Sequence, residues 1–175
     1  SVSCILDRSG NSSHAGQATI ANRPLLNTTG LNNLSALTFD GTNDYLSGQT
    51  LGFNGGNSAM TLNQFFDVDT TGATSFTLGN ANVTKERWSL FLPSDTFIKH
   101  DYFSGGVWYD NLADFTTDPV GITAIYNGQG VKVADNQPIY IDGRSQTSTG
   151  IGGISSGDAL MAVDPNYYIG ATMDG

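Results

Sequence analysis

Few residues of this chain have the types and spacing that carbohydrate catalysis uses. Retaining glycosidases need two carboxylates about 5 Å apart. The chain has a single glutamate, Glu86, which lies between Lys85 and Arg87 at the start of a predicted strand. An ion pair or a solvated edge explains that position better than catalysis. Asp67 and Asp69 share one face of a strand, but no third acid continues the pattern. We therefore predict no catalytic residue and no enzymatic activity.

The nucleophile, metal and phosphate motifs are equally incomplete. Neither His14 nor His100 lies near a G-x-S-x-G elbow. His100 with Tyr102 would suit a polysaccharide lyase, although two such residues on one strand are common by chance. Cys4 is the lone cysteine, and its spacing to the histidines matches no zinc motif. The glycine-rich run 150–157 lacks the lysine and the following helix of a phosphate loop.

The densest group of aromatic residues lies in "HDYFSGGVWYDN", residues 100–111. Tyr102, Phe103, Trp108 and Tyr109 surround a Gly-Gly pair there. Aromatic platforms beside polar groups are what a sugar-binding loop requires. Strand alternation would bury Trp108 and expose Tyr109, or the reverse. We therefore predict a ligand-binding site at these four residues, with packing in the core as the alternative for part of the set.

A second candidate site lies in the turn "FDGTNDY". Asp40, Asn43 and Asp44 are close together there, and oxygen ligands of these types are what Ca²⁺ prefers. Asp164, Asn166 and Asp174 flank the late strands in a similar way. These residue types are also common turn formers, and no EF-hand spacing fixes a geometry. The sequence thus leaves a calcium site and a plain turn both open.

Length and composition limit the class of protein. A chain of 175 residues suits one domain, 1–175. The formal net charge of −9 and the scattered basic residues argue against a nucleic-acid partner. No apolar run is long enough to insert into a membrane. The aromatic content and the low charge predict an all-β domain rich in turns.

Period-2 alternation recurs along the chain and predicts at least ten short strands. In "SAMTLNQFFDV", Met60, Leu62 and Phe66 fall on one face of a strand. Asn127-Gly128 and Asp142-Gly143 have the composition of hairpin turns, so 120–126, 130–134 and 137–142 are predicted to form a meander. The segment 93–118 is predicted to cross between two sheets.

The order of several motifs resembles a laminin-G-like domain of the concanavalin A-like superfamily. The resemblance covers nearly the whole chain and rests on five motifs in order: "LDRSGNSSHAGQATIANRPLL" followed by "GLNNLSALTFDGTNDYL", then "GNSAMTLNQFFDV", "GITAIYNGQ", "IYIDGRSQTST" and "NYYIGATMDG". It implies a two-sheet antiparallel jelly-roll sandwich, in which Thr38 and Phe39 end a buried strand and Tyr45 and Leu46 begin the next pairing. Members of this family often hold calcium at the rim of the sandwich.

The departures from the family pattern concern the two ends. Family members usually have an apolar strand before the SGN segment, with a tryptophan where this chain has Cys4. A further strand usually follows the Y-Y-I-G motif, and this sequence ends at Gly175 without it. Sheets that lack such strands would expose unpaired backbone. We therefore expect the terminal strands to come from the rest of a larger chain or from a neighbouring subunit.

Together these features predict a non-catalytic binding or adhesion module that recognises a glycan or a protein surface, with calcium as its candidate cofactor. A structural or decoration subunit of a virion, tail or surface appendage is the main alternative. A polysaccharide-active enzyme is a weaker one. The expected location is extracellular, on a cell surface or on a virion.

Overall fold

A computed structural model describes residues 1–50, 60–67, 73–79, 87–92, 97–104, 107–114, 120–126, 139–146, 149–151 and 166–170. Within them, the backbone is almost entirely extended, apart from one 3-10 turn at Ile20–Asn22. The strands are β1 Cys4–Ile5, β2 Ala15–Gly16, β3 Leu25–Leu31, β4 Leu34–Thr38, β5 Leu46–Gln49, β6 Met60–Phe66, β7 Ala73–Gly79, β8 Arg87–Leu92, β9 Phe97–Ser104, β10 Val107–Asp114, β11 Val120–Tyr126, β12 Ile139–Ile141, β13 Arg144–Ser145, β14 Thr149–Ile151 and β15 Asn166–Ile169.

In the described part of the chain these strands form three sheets. The large sheet has the order β1-β2-β5-β15-β7-β8-β9-β10-β14, and the small sheet has the order β13-β12-β11-β6. The third is a hairpin of β3 and β4. Neighbouring strands run antiparallel throughout, which confirms the predicted all-β class. The described residues contain no helix with the length and apolar character needed to span a bilayer.

The large sheet has one face that is apolar at its centre. Leu46, Ile169, Phe76 and Leu90 stand opposite one another on β5, β15, β7 and β8. Leu46 and Leu90 have no exposed surface. Directly opposite residues of antiparallel strands lie on the same face, so this face packs into the interior. We call it the core face.

The next row of the core face depends on a glycine. Gly48 lies opposite Tyr167, which lies opposite Leu78. A Cβ at position 48 would come within 2.8 Å of the Tyr167 ring and closer still to the carbonyl oxygen of His14. The Tyr167 ring also stacks on Phe76, with ring centroids 6.2 Å apart. The absence of a side chain at Gly48 lets the aromatic ring lie against the backbone.

The small sheet shows the alternation that the sequence predicts. Along β6, Leu62 and Phe66 are half-buried, whereas Phe65 is 57 % exposed. Ile139 and Ile141 of β12 are both buried, so this sheet also has an inner face. The Asp142-Gly143 pair makes the hairpin turn with φ of 48° and 76°, as predicted. Residues 127–138, with Asn127-Gly128 and the predicted strand 130–134, lie outside the described residues.

The segment 93–118 follows β8 of the large sheet and leads to β11 of the small sheet, as the predicted crossing requires. Within it, β9 and β10 also pair with each other along eight residues each in the large sheet. The prediction of a buried strand that ends at Thr38 is wrong. Leu34 is 69 % exposed and Leu37 is only half-buried. The hairpin β3–β4 does not pair with either larger sheet among the described residues.

Candidate functional site

The four aromatic residues predicted to bind a ligand come together on β9 and β10. Phe103 pairs with Trp108, and Tyr102 pairs with Tyr109. The two pairs are adjacent rungs at the end of the hairpin that leads to Gly105-Gly106. The structure therefore places the four predicted residues at neighbouring positions of one hairpin. We call Tyr102, Phe103, Trp108 and Tyr109 the aromatic hairpin end.

The register assigns the two pairs to opposite faces of the large sheet. Tyr102 lies opposite Trp88, which lies opposite Leu78 of the core face. Tyr102 and Tyr109 therefore continue a row of the core face. Successive residues of a strand alternate between faces, so Phe103 and Trp108 fall on the other face, which we call the outer face.

The outer face also carries an acid pair that sequence reasoning missed. Asp101 pairs directly with Asp110, one rung away from the Tyr102–Tyr109 pair. Thr77 and Ser89 continue the same row, and Thr77 has no exposed surface, so the face that we call outer is covered at β7. Like charges directly opposite each other destabilise a sheet, so the pair is not explained by strand pairing. A two-residue connection between β9 and β10 fixes this register, and the Gly105-Gly106 pair could have predicted it.

The turn predicted to bind calcium is held by the Asp40 carboxylate. Its Oδ1 accepts hydrogen bonds from the backbone N–H groups of Thr42, Asn43 and Asp44, at 2.9, 3.0 and 3.1 Å. The N–H of Asn43, followed by those of Thr42 and Asp44, lowers the pKa of Asp40 below its ordinary value. Gly41 has φ of 70°, which the tight turn requires. The predicted turn at 40–43 and the new strand from Leu46 are confirmed.

Asp44 is the unusual member of this turn. Its side chain is only 8 % exposed, yet the one hydrogen bond it accepts within the described residues comes from the Asp40 N–H to Oδ2, at 3.2 Å. A buried carboxylate normally requires several donors or a cation. Asn43 is exposed beside it. Among the described residues, no three His, Cys, Asp or Glu side chains come together as a metal-binding group.

A second carboxylate turn organises the N-terminal segment. The Asp7 carboxylate accepts hydrogen bonds from the Ser9 hydroxyl at 2.7 Å, from the Ser9 N–H at 2.8 Å and from the Ser13 N–H at 3.1 Å. Led by the Ser9 hydroxyl, these bonds lower the pKa of Asp7 to about 2. The Asp7 N–H in turn donates to Nδ1 of His14, at 2.9 Å. Both oxygens of Asp7 are therefore used by the turn itself, which makes a structural role the better explanation.

This N-terminal turn is tied to the last described strand. The hydroxyl of Tyr167 donates to the carbonyl oxygen of Ser13, at 2.7 Å. Burial raises the pKa of Tyr167, and electrostatic interactions with Asp7 and Cys4 add to the rise. The neutral phenol is thus favoured, and it holds the two ends of the described chain together.

Among the described residues, the aromatic hairpin end and the Asp40 turn are thus the two candidate sites. In that part of the chain, only the first combines aromatic positions with opposed acidic residues, and only the second contains a buried acid with few donors. The resemblance to laminin-G-like domains rests on the quoted motifs. In comparisons with known proteins, the chain matches no protein-family model and no curated sequence.

Proposed function

We propose that the chain is a concanavalin A-like binding module whose aromatic hairpin end recognises a glycan, or otherwise a protein surface. The large and small sheets would be the two layers of its jelly-roll sandwich. Buried residues in both sheets, Leu46 and Leu90 in one and Ile139 in the other, support that arrangement. The motif order supports the laminin-G-like assignment and with it an extracellular, cell-surface or virion location.

The register of β9 and β10 is the observation that carries this proposal. It places Phe103 and Trp108 side by side on the outer face. It also places Asp101 and Asp110 two residues further along the same face. A sugar ring presents an apolar face for an aromatic platform and hydroxyl groups for carboxylate acceptors. Both kinds of group therefore occur at one position of the fold, and no catalytic step is needed to explain them.

The experiment is an oligosaccharide array probed with the fluorescently labelled 175-residue chain. The glycan with the strongest signal is then titrated by calorimetry. We expect Trp108→Ala to weaken binding by about tenfold or more, as for a central aromatic contact. Trp108→Ala should lower the thermal unfolding temperature less than the loss of Tyr109, which continues the row of the buried Leu78.

Tyr109→Ala is the matched control for this test. It removes a neighbouring aromatic residue of the same strand, but one assigned to the core face. We expect it to lower the unfolding temperature more than Trp108→Ala does. Equal binding by the Trp108→Ala variant and the unchanged chain would refute a glycan site on the outer face.

We also propose that the Asp40 turn binds Ca²⁺. The observation that favours it is the burial of the Asp44 carboxylate with one hydrogen bond among the described residues. Oδ2 of Asp40 and the side-chain oxygen of Asn43 would complete part of the oxygen set that Ca²⁺ takes. The ion would compensate the charge of Asp44, which otherwise opposes burial.

Calorimetric titration of Ca²⁺ into the chelator-treated chain tests this site. We expect binding by the unchanged chain and its loss in Asp44→Asn, which keeps the shape but not the charge. Asp7→Asn is the control, because the Asp7 carboxylate is already used by its own turn. Equal Ca²⁺ affinity in Asp44→Asn and the unchanged chain would show that the Asp40 turn has a structural role and does not bind Ca²⁺.

Two other functions stay as competing proposals. A virion, tail or appendage subunit would show repeated self-assembly and no glycan binding. A polysaccharide-active enzyme is favoured by one observation, the directly opposed Asp101 and Asp110, which put two acidic residues on one face, as a glycosidase acid pair requires. Release of reducing ends from a polysaccharide by the unchanged chain, and its loss in Asp101→Asn, would establish that reading.

A further inference from the structure

The hairpin of β3 and β4 is a two-stranded sheet with exposed leucines. Leu25 and Leu26 are each 56 % exposed, and Leu34 is 69 % exposed. The register puts Leu26 opposite Leu37 and Leu25 opposite Thr38, so the leucines are divided between the two faces. A two-stranded sheet is marginal in water, and three or more strands with an apolar face are needed for stability. Further strands beside this hairpin would extend both of its leucine faces.

The two edges of the hairpin differ. β3 has a register shift between Asn27 and Leu31, and such irregularities bend a strand away from further pairing. β4, Leu34–Thr38, is regular and contains no proline and no charged residue. Its side away from β3 pairs with no strand among the described residues. We call this side the β4 edge. It lacks the devices with which natural proteins block edge-to-edge pairing.

Charge distribution indicates which partner can approach the β4 edge. The whole chain has a formal net charge of −9, which opposes association of two copies over most of the surface. Residues 24–38 contain no charged side chain at all. The hairpin is thus a long neutral surface on which two copies can meet without opposing like charges.

The sequence of β4 also suits pairing with itself. In an antiparallel pair centred on Ala36, Ala36 of one copy lies opposite Ala36 of the other. Leu34 of one copy then lies opposite Thr38 of the other, which adds leucines to the row that contains Leu25. A two-fold symmetric contact of this kind uses the same surface on both copies and closes without forming a filament.

We propose that two copies of this chain associate through their β4 edges, in an antiparallel register centred on Ala36, to form a four-stranded sheet. The proposal is independent of the aromatic hairpin end and of the Asp40 turn. It concerns how the exposed hairpin is covered, and glycan or calcium binding can fail without affecting it.

Sedimentation velocity of the 175-residue chain over a range of concentrations gives the first test. We expect a species of twice the 18.5 kDa chain mass that dissociates on dilution. Ala36→Lys puts two positive charges directly opposite each other and should weaken the dimer about tenfold or more. Thr28→Lys adds the same charge to β3, away from the β4 edge, and should change the dissociation constant far less. A chain that stays monomeric at the highest concentration would overturn the proposal.

Disulfide trapping tests the register without relying on a destabilising variant. In a Cys4→Ser background, Ala36→Cys places two thiols across the symmetry axis, with Cα atoms about 4.5–5.5 Å apart, which a disulfide can span. Thr38→Cys is the control, because its two copies would be roughly 14 Å apart along the paired strands. We expect a covalent dimer from the first variant and none from the second. Equal trapping at both positions, or trapping at Thr38 alone, would rule out the Ala36-centred pair.

Discussion

The centre of the large sheet and the β3–β4 hairpin differ in how their apolar residues are covered. At the centre, Leu46 has no exposed surface, and Gly48 and Gly170 are so close to aromatic rings that a Cβ would collide with them. In the hairpin, Leu25 and Leu34 are mostly exposed. Both regions are β-structure, so strand propensity alone does not explain the difference.

The two regions differ in the origin of their contacts. The centre joins early and late parts of the chain, as in the hydrogen bond from the Tyr167 hydroxyl to Ser13. This hydrogen bond links segments that are distant in sequence beside the apolar row. The hairpin pairs only with its sequence neighbour. The apolar row at the sheet centre is thus covered within the chain, whereas the hairpin keeps its leucines exposed among the described residues.

The largest effect should come from truncation of a leucine at the sheet centre. Leu46→Ala removes a fully buried side chain, and we expect a loss of about 3–4 kcal/mol in the free energy of unfolding. Leu34→Ala removes the same atoms from a position that is 69 % exposed and should cost less than about 0.5 kcal/mol in the monomer. Urea unfolding at low protein concentration measures both. Similar losses would mean that the hairpin is packed in the isolated chain.

An intermediate effect is expected for Gly170→Ala. Gly170 has φ of 86°, and a Cβ there would collide with the ring of Phe39. Left-handed strain and overpacking together should cost about 2–3 kcal/mol in stability. Gly143→Ala is the matched control, because Gly143 has φ of 76° but open space around it, and it should cost only about 1 kcal/mol. Thermal unfolding of both variants separates the effect of the collision with Phe39 from that of backbone strain. Equal decreases in the unfolding temperature would contradict a collision with Phe39.

The smallest effect concerns the pH dependence of the Asp7 turn. The pKa of Asp7 is lowered from 3.8 to about 2 in the folded chain. A lowered carboxyl pKa stabilises the folded state above the unfolded pKa, and this contribution is lost as pH falls from about 4 toward 2. Asp7→Asn should remove the loss of stability between about pH 4 and pH 2 that is due to Asp7, and leave the contributions of the other carboxylates unchanged. Titration of the side-chain carboxyl carbon by NMR should show a midpoint near 2, and a midpoint near 3.8 would contradict the turn geometry.

Several features could be predicted from the sequence because they depend on neighbouring residues. The alternation in β6, the Asp142-Gly143 turn and the Asp40 turn are examples. The aromatic residues 102, 103, 108 and 109 could be recognised as a group by their density. The change of sheet predicted within 93–118 agrees with the sheet order, whereas the β9–β10 hairpin inside this segment adds a register that the crossing alone does not predict.

Other features depend on contacts that no local pattern specifies. The sequence by itself determined an all-β chain with carboxylate-centred turns and a cluster of aromatic residues, because period-2 alternation and turn chemistry act within a few residues. Only the tertiary structure decided that Tyr102 and Tyr109 continue the core face, that Asp101 opposes Asp110, and that the hairpin leaves its leucines exposed. Strand register and the choice of the buried face are set by pairing between distant segments. A register shift of one residue would move every side chain of a strand to the opposite face of the sheet.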